Sequence, residues 1–174
     1  MLDVAVSYNR YKFLGNEFLT WLWFVMENRP DVLKASSDDF TSLDIGNRMV
    51  LEITANDTVE RITLKGDRIG LEEGMLSMQK GGVVTELQLV YKSGSDEWQF
   101  SIKGESLNIS GLKTPHTGRI ESENEVEGAV LEKVFLCEKV FGFVNNLYSQ
   151  FIHQRVSDSW KTSIVPSIRK WITS

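Results

Sequence analysis

The chain has 174 residues, of which 41% are hydrophobic and 25% charged, and these fractions match an average globular protein rather than a disordered or fibrous one. The length predicts one domain over residues 1–174, and a single cysteine excludes an internal disulfide framework. The formal net charge of −5 is spread along the chain with no basic segment, which argues against a protein that depends on neutralising phosphates.

The N-terminal residues lack the basic start, the apolar core and the small-residue cleavage site of a signal peptide. The longest uninterrupted apolar run, residues 21–26, is far shorter than the ~20 residues that a membrane-spanning helix requires. The sequence therefore predicts a cytoplasmic protein that makes no membrane contact.

Residues 14–28 are predicted to form the first helix. Gly15-Asn16 supply a cap and Glu17 an acidic first turn, and the residue before Pro30 resists the helical conformation, so the helix ends there. Apolar side chains at helical spacing form two adjoining stripes. The first holds Leu14, Phe18, Leu22 and Val25, and the second holds Leu19, Trp23 and Met26. Because both stripes are apolar, this is either a core helix or an interface helix.

From about residue 39 to residue 112, apolar and polar residues alternate, which is typical of strands with one packed and one wet face. The clearest strand covers 97–103. Turn-forming residues at 55–58 and 92–96 have hairpin lengths, so neighbouring strands are expected to run antiparallel.

Two further elements belong to the same region. A short helix is predicted over residues 71–80, where Gly81-Gly82 stop it, and a short last strand is predicted over 106–109, before a loop at 111–121. The whole region is thus predicted to be an antiparallel β-meander of about five strands.

Helical spacing of apolar residues returns over 123–156, and four glutamates near its start favour the positive end of a helix dipole. Ser157-Asp158-Ser159 cap a last helix over 159–172, which Pro166 must kink or split. The element order predicts an α+β fold with an N-terminal helix, the meander, a long C-terminal helix and a short kinked helix.

Few residues suit catalysis. Nucleophilic catalysis needs a Ser, Cys or Thr beside an oriented base. Cys137 lies on the apolar stripe of the long helix, which favours a buried structural thiol, and His116 and His153 suit a solvated loop and a helix end. These residues match no metal-ligand spacing, and no phosphate-binding glycine motif is present. The sequence predicts a protein that is not an enzyme and holds no metal or cofactor.

Apolar and aromatic residues are abundant, with five tryptophans in the chain. Trp21 and Trp23 are two positions apart and cannot share one helical face, so one is expected to point away from the core. The apolar stripe over 123–156 is wider than one small sheet can cover. Either both helices bury everything against the sheet, or part of this surface binds a protein. The predicted interface residues are Phe18, Trp21, Trp23, Phe141 and Tyr148.

A nucleic-acid site is a second hypothesis. Cations beside aromatic side chains can grip a phosphate backbone and stack on bases, although a solvated amphipathic helix explains the same residues equally well. The candidates are Arg155, Lys161, Arg169 and Lys170, together with Trp160 and Trp171.

Residues 13–24, with the sequence FLGNEFLTWLWF, resemble a segment of bacterial recombination-associated proteins of the RdgC type, in particular their RdgC-like branch. A similar order follows: a sheet, a loop at 112–115, a long helix and the ending 164–171, so the resemblance runs over roughly residues 12–172. It implies a non-enzymatic protein that dimerises into a ring, encloses duplex DNA without sequence preference and restrains recombinase filaments.

The chain departs from that family in two ways. It matches only the later portion of longer family members, and its acidic charge offers no counterpart to the positive lining of the ring. The first hypothesis is therefore a non-catalytic adaptor or regulatory subunit of a bacterial DNA-maintenance or phage-defence system, CRISPR-associated ones included. Its partner would be another protein or a second copy of the chain. Binding of duplex DNA that modulates recombination is the alternative.

Overall fold

Five strands form one antiparallel sheet in a computed structural model that describes residues 12–55, 58–66, 71–118 and 122–174. The strands are β1 (Phe40–Ala55), β2 (Thr58–Lys65), β3 (Val83–Ser93), β4 (Asp96–Lys103) and β5 (Asn108–Lys113). They lie in the order β2-β1-β3-β4-β5, and each paired strand runs antiparallel to its neighbour.

Helices precede, interrupt and follow the sheet. They are α1 (Phe13–Asn28), α2 (Pro30–Lys34), α3 (Leu71–Gln79), α4 (Val126–Arg155) and α5 (Val165–Thr173). A 3₁₀ turn over Glu123–Glu125 leads into α4, and a π-helical stretch over Trp160–Ile164 leads into α5. The predicted α+β fold is confirmed. Pro166 lies in the first turn of α5. The helix predicted over 159–172 is neither interrupted nor split at Pro166, but changes there from the π-helical stretch Trp160–Ile164 to the α-helix Val165–Thr173.

Two details of the sheet differ from the predicted meander. β2 and β3 are joined through α3 and pair with opposite edges of β1, so β1 lies inside the sheet. The last strand begins at Asn108 and runs to Lys113 instead of covering 106–109. Leu107 adopts a left-handed conformation, φ 54°, in the turn between β4 and β5, and strand pairing begins only after it.

The sheet has one packed face and one wet face, as the alternation of residues predicts. The packed face buries apolar side chains that include Leu87, Leu89, Tyr91, Trp98, Phe100 and Ile102. The wet face carries ion pairs between neighbouring strands, Arg48–Glu86 (3.0 Å), Arg61–Glu52 (2.7 Å) and Lys92–Glu97 (3.2 Å). Exposed pairs contribute at most about 1 kcal/mol each, so the packed face dominates the stability of the sheet.

α1 lies in the middle of the helical layer and contacts β3, α4 and α5. Eight of its 16 residues are buried, which matches its two adjoining apolar stripes. The second half of α4 covers the same face of the sheet, where the Phe143 ring stacks on Tyr91 with ring centroids 4.0 Å apart. The core is therefore shared by the sheet, α1 and the C-terminal helices.

Two glycines allow α1 to rest directly on the turn after β4. A Cβ on Gly15 would overlap the backbone carbonyl of Gly104, and a Cβ on Gly104 would overlap the side chain of Asn16. The carbonyl that the added Cβ would overlap belongs to the backbone of Gly104, so it cannot move aside by changing a rotamer. The close approach of helix and turn therefore requires Gly15.

We expect Gly15→Ala to lower the free energy of unfolding by about 1–3 kcal/mol, because the added methyl must displace α1 from the turn. Gly128→Ala is the matched control. Gly128 also lies in a helix, but a methyl group there would meet no atom within 4 Å, so alanine should stabilise by up to about 1 kcal/mol. Urea unfolding of both variants measures the difference, and equal effects would refute the close contact.

Candidate protein-interaction surface

The first ten residues of α4, 126–135, are almost entirely exposed. We call this segment the exposed arm. It carries five apolar side chains that are 45–63% exposed, Val126, Val130, Leu131, Val134 and Phe135. Phe141 continues the stripe of Val130 and Val134 along the helix and is 47% exposed. Large apolar side chains grouped in this way are typical of an interaction surface.

α4 changes from exposed to packed at Leu136. The backbone carbonyl of Leu136 accepts a hydrogen bond from the Trp98 indole at 2.9 Å, and the Lys139 ammonium lies over the same ring, 5.3 Å from its centroid. From there on, one face of the helix is buried in the core through Leu136, Val140, Phe143, Leu147 and Phe151. The arm is thus the part of a single continuous helix that extends beyond its own core.

Three of the five predicted interface residues lie in the core. Phe18, Trp21 and Trp23 are at most 1% exposed, so the expectation that one tryptophan points outward is wrong. The two indoles do leave α1 in different directions, but the fold covers both. The Trp21 indole donates to Gln154 Oε1 at 2.9 Å, and the Trp23 indole donates to Glu27 Oε1 at 2.6 Å.

The other two predicted residues lie on α4 and differ in exposure. Phe141 belongs to the exposed stripe. Tyr148 is half-buried, with its ring edge-on to Phe18 at a centroid distance of 5.2 Å, and burial raises the pKa of its phenol. The sequence patterns do not single out Leu131 or Phe135 as interface residues. The signal that could have found them is the excess width of the apolar stripe over 123–156, which indicates that part of this helix is not packed against the sheet.

The structure separates the predicted nucleic-acid constellation. Trp160 and Trp171 are buried, and the Trp171 indole donates to Glu27 Oε2 at 2.9 Å, so the expectation that Trp171 lies free beside the cations is wrong. Arg155 pairs with Glu17 at 2.7 Å and lies over the Trp160 ring. Lys161, Arg169 and Lys170 are exposed and form no ion pair among the described residues.

None of the three residues considered for catalysis is buried. His116 and His153 are exposed, and Cys137 is half-buried, whereas the sequence predicts a buried thiol. In the described ranges, no three His, Cys, Asp or Glu residues lie close enough together to bind a metal ion. None of the described helices is both long and apolar enough to span a bilayer.

The chain matches no model of a known protein family and no curated protein sequence. The resemblance of residues 13–24 to RdgC-type proteins therefore stays a prediction.

Glu27 accepts hydrogen bonds from two buried indoles, and Glu27→Ala should lower the free energy of unfolding by about 1–3 kcal/mol, because Trp23 and Trp171 both lose their acceptor. Glu132→Ala, at an exposed position on α4, is the control and should change stability by less than about 0.5 kcal/mol. Thermal unfolding of both variants tests this, and a neutral Glu27→Ala would show that the two bonds are dispensable.

Proposed function

We propose that this chain is a protein-binding adaptor or regulatory subunit that acts by contact and not by catalysis, and that the exposed arm is its contact surface. The observation that carries the proposal is the exposure of five large apolar side chains on ten consecutive residues of α4. Among the residues that the structure describes, no core covers this segment. A partner that packs against it removes apolar area from water, which is the main driving force of association.

The energy available from the arm sets the kind of contact it can make. Full burial of a Val, Leu or Phe side chain contributes about 1.5–3 kcal/mol, and the five arm residues with Phe141 are already about half covered. Covering the rest gives roughly 1 kcal/mol each, or roughly 6 kcal/mol in all, against an association cost of about 4–15 kcal/mol. The arm therefore supports a stable complex only together with further contacts on the partner.

Replacing Phe135 by Ser should weaken capture of the partner by about fivefold or more, since roughly 1 kcal/mol of contact is lost. The free energy of unfolding should stay within about 0.5 kcal/mol of the wild type, because this side chain is exposed in the free chain. Val59→Ser is the matched control, since Val59 on β2 is exposed to the same 63% but lies outside the arm. Affinity purification of tagged variants from cells that natively express the chain, with and without nuclease, gives the measurement. Equal capture by both variants would refute the proposal.

Binding of duplex DNA is a second candidate function. The observation that favours it is the composition of residues 159–174, which contain Lys161, Arg169 and Lys170 and no Asp or Glu. These cations are exposed, so they are accessible to phosphates, but the buried tryptophans beside them are not accessible to bases. The binding would accordingly be electrostatic and independent of sequence.

On this second candidate, the chain should retard duplex DNA in a gel at low salt, and the affinity should fall steeply as salt is added. Arg169→Ala combined with Lys170→Ala should remove most of the retardation, because two of the three exposed cations of this segment are lost. Lys92→Ala, on the wet face of the sheet, is the control with the same loss of charge per residue. No retardation by the wild type at low salt would eliminate DNA binding.

A further inference from the structure

The largest apolar side chains of the exposed arm lie in two neighbouring rows along one side of α4. Leu131 and Phe135 are four residues apart and form one row, and Val130 and Val134 form the other. All four side chains are 49–63% exposed. We call them the arm face. The shallow groove between two such rows is where the side chains of a second helix pack.

A glutamate ends each row of the arm face, and the two glutamates are at opposite ends. Glu127 is four residues before Leu131, and Glu138 is four residues after Val134. At about 100° of rotation per residue, both glutamates point within about 10° of the middle of the arm face. Both are exposed, and neither forms an ion pair among the described residues.

The two lysines of this part of α4 point in other directions. Lys133 lies about 130° around the helix from the middle of the arm face, and Lys139 lies about 110° from it. The Lys139 ammonium is instead placed over the Trp98 ring. The arm face thus combines exposed apolar surface with the negative charges of Glu127 and Glu138, so it favours an occupant that is apolar and positively charged.

The same two glutamates disfavour other occupants. Two arms packed antiparallel and centred on the arm face would bring Glu127 of one copy next to Glu138 of the other, and a parallel pair would bring each glutamate next to its own equivalent. Like charges at contact distance repel, so a second copy of this chain is a poor fit. Nucleic acids and anionic lipids are repelled for the same reason.

We propose that the arm face binds an amphipathic helix of another protein, and that this helix carries a lysine or arginine near each end of its apolar face. Glu127 and Glu138 are separated by about 16 Å, or three helical turns, so the two cations of the partner helix should have the same spacing. The inference rests on the proposed function, because it names the kind of partner that the arm binds. The apolar rows supply the contact area, and the glutamates select the partner and its register.

Two synthetic helical peptides of about 18 residues test this inference. Both carry leucines along one face, and they differ only at two positions of that face, spaced like Glu127 and Glu138, which are lysine in one peptide and glutamate in the other. Each peptide is titrated into the full isotope-labelled chain, because NMR shifts report dissociation constants as weak as about 1 mM.

The lysine peptide is expected to shift the backbone amides of residues 126–141. At low salt its dissociation constant should be at least about fivefold lower than that of the glutamate peptide, and added salt should reduce this ratio. Glu127→Lys combined with Glu138→Lys should reverse the preference. Glu132→Lys is the matched control and should keep it, because Glu132 is also exposed but points about 130° away from the middle of the arm face.

Several outcomes would overturn the inference. They are equal affinity for the two peptides, an unchanged preference in the variant with both lysines, and arm amides that shift with neither peptide. Arm amides that shift with the concentration of the chain alone would show that a second copy covers the arm face, which also overturns it. The proposed function is judged separately, because it stands as long as Phe135→Ser weakens capture of the native partner and Val59→Ser does not.

Discussion

The structure depends on the burial of α1, a helix that is apolar on nearly all sides. Trp21 and Trp23 leave it in different directions, so a sheet on one face cannot cover both of them. Each buried indole N–H also needs an acceptor, since an unmet donor costs about 1–3 kcal/mol. Gln154 at the end of α4 and Glu27 on α1 itself supply those acceptors, and Glu27 joins Trp23 to Trp171 of α5. The C-terminal helices are therefore held against α1 by the hydrogen bonds Trp21–Gln154 and Trp171–Glu27.

Because the second half of α4 packs against α1 and the sheet, the start of α4 is exposed. The helix has 30 residues, which corresponds to about 45 Å, and its second half is fixed over the sheet and α1. The N-terminal ten residues then extend past the core, while their apolar side chains have no counterpart within the described part of the chain. This uncovered part of the helix is the surface that we propose for a partner.

The same packing arranges the C-terminal charges. Arg155 pairs with Glu17 and lies over the Trp160 ring, whereas Lys161, Arg169 and Lys170 are exposed and form no ion pair among the described residues. Of these three cations, Arg169 lines the groove between the start of α1 and the C-terminal helices, and most of the lining of that groove is apolar.

The sequence by itself determined the element types, the antiparallel sheet and the α+β class, because periods of 2 and 3.6 residues record which side of each element is buried. It also placed the end of α1 before Pro30, since proline acts locally on the residue that precedes it. Periodicity reports that a side chain is apolar, but not whether another element is near enough to cover it. Only the tertiary structure could decide that Trp21 and Trp23 are buried while Leu131 and Phe135 are exposed, because this depends on where α4 meets Trp98 and α5 meets Glu27, residues far apart in the chain.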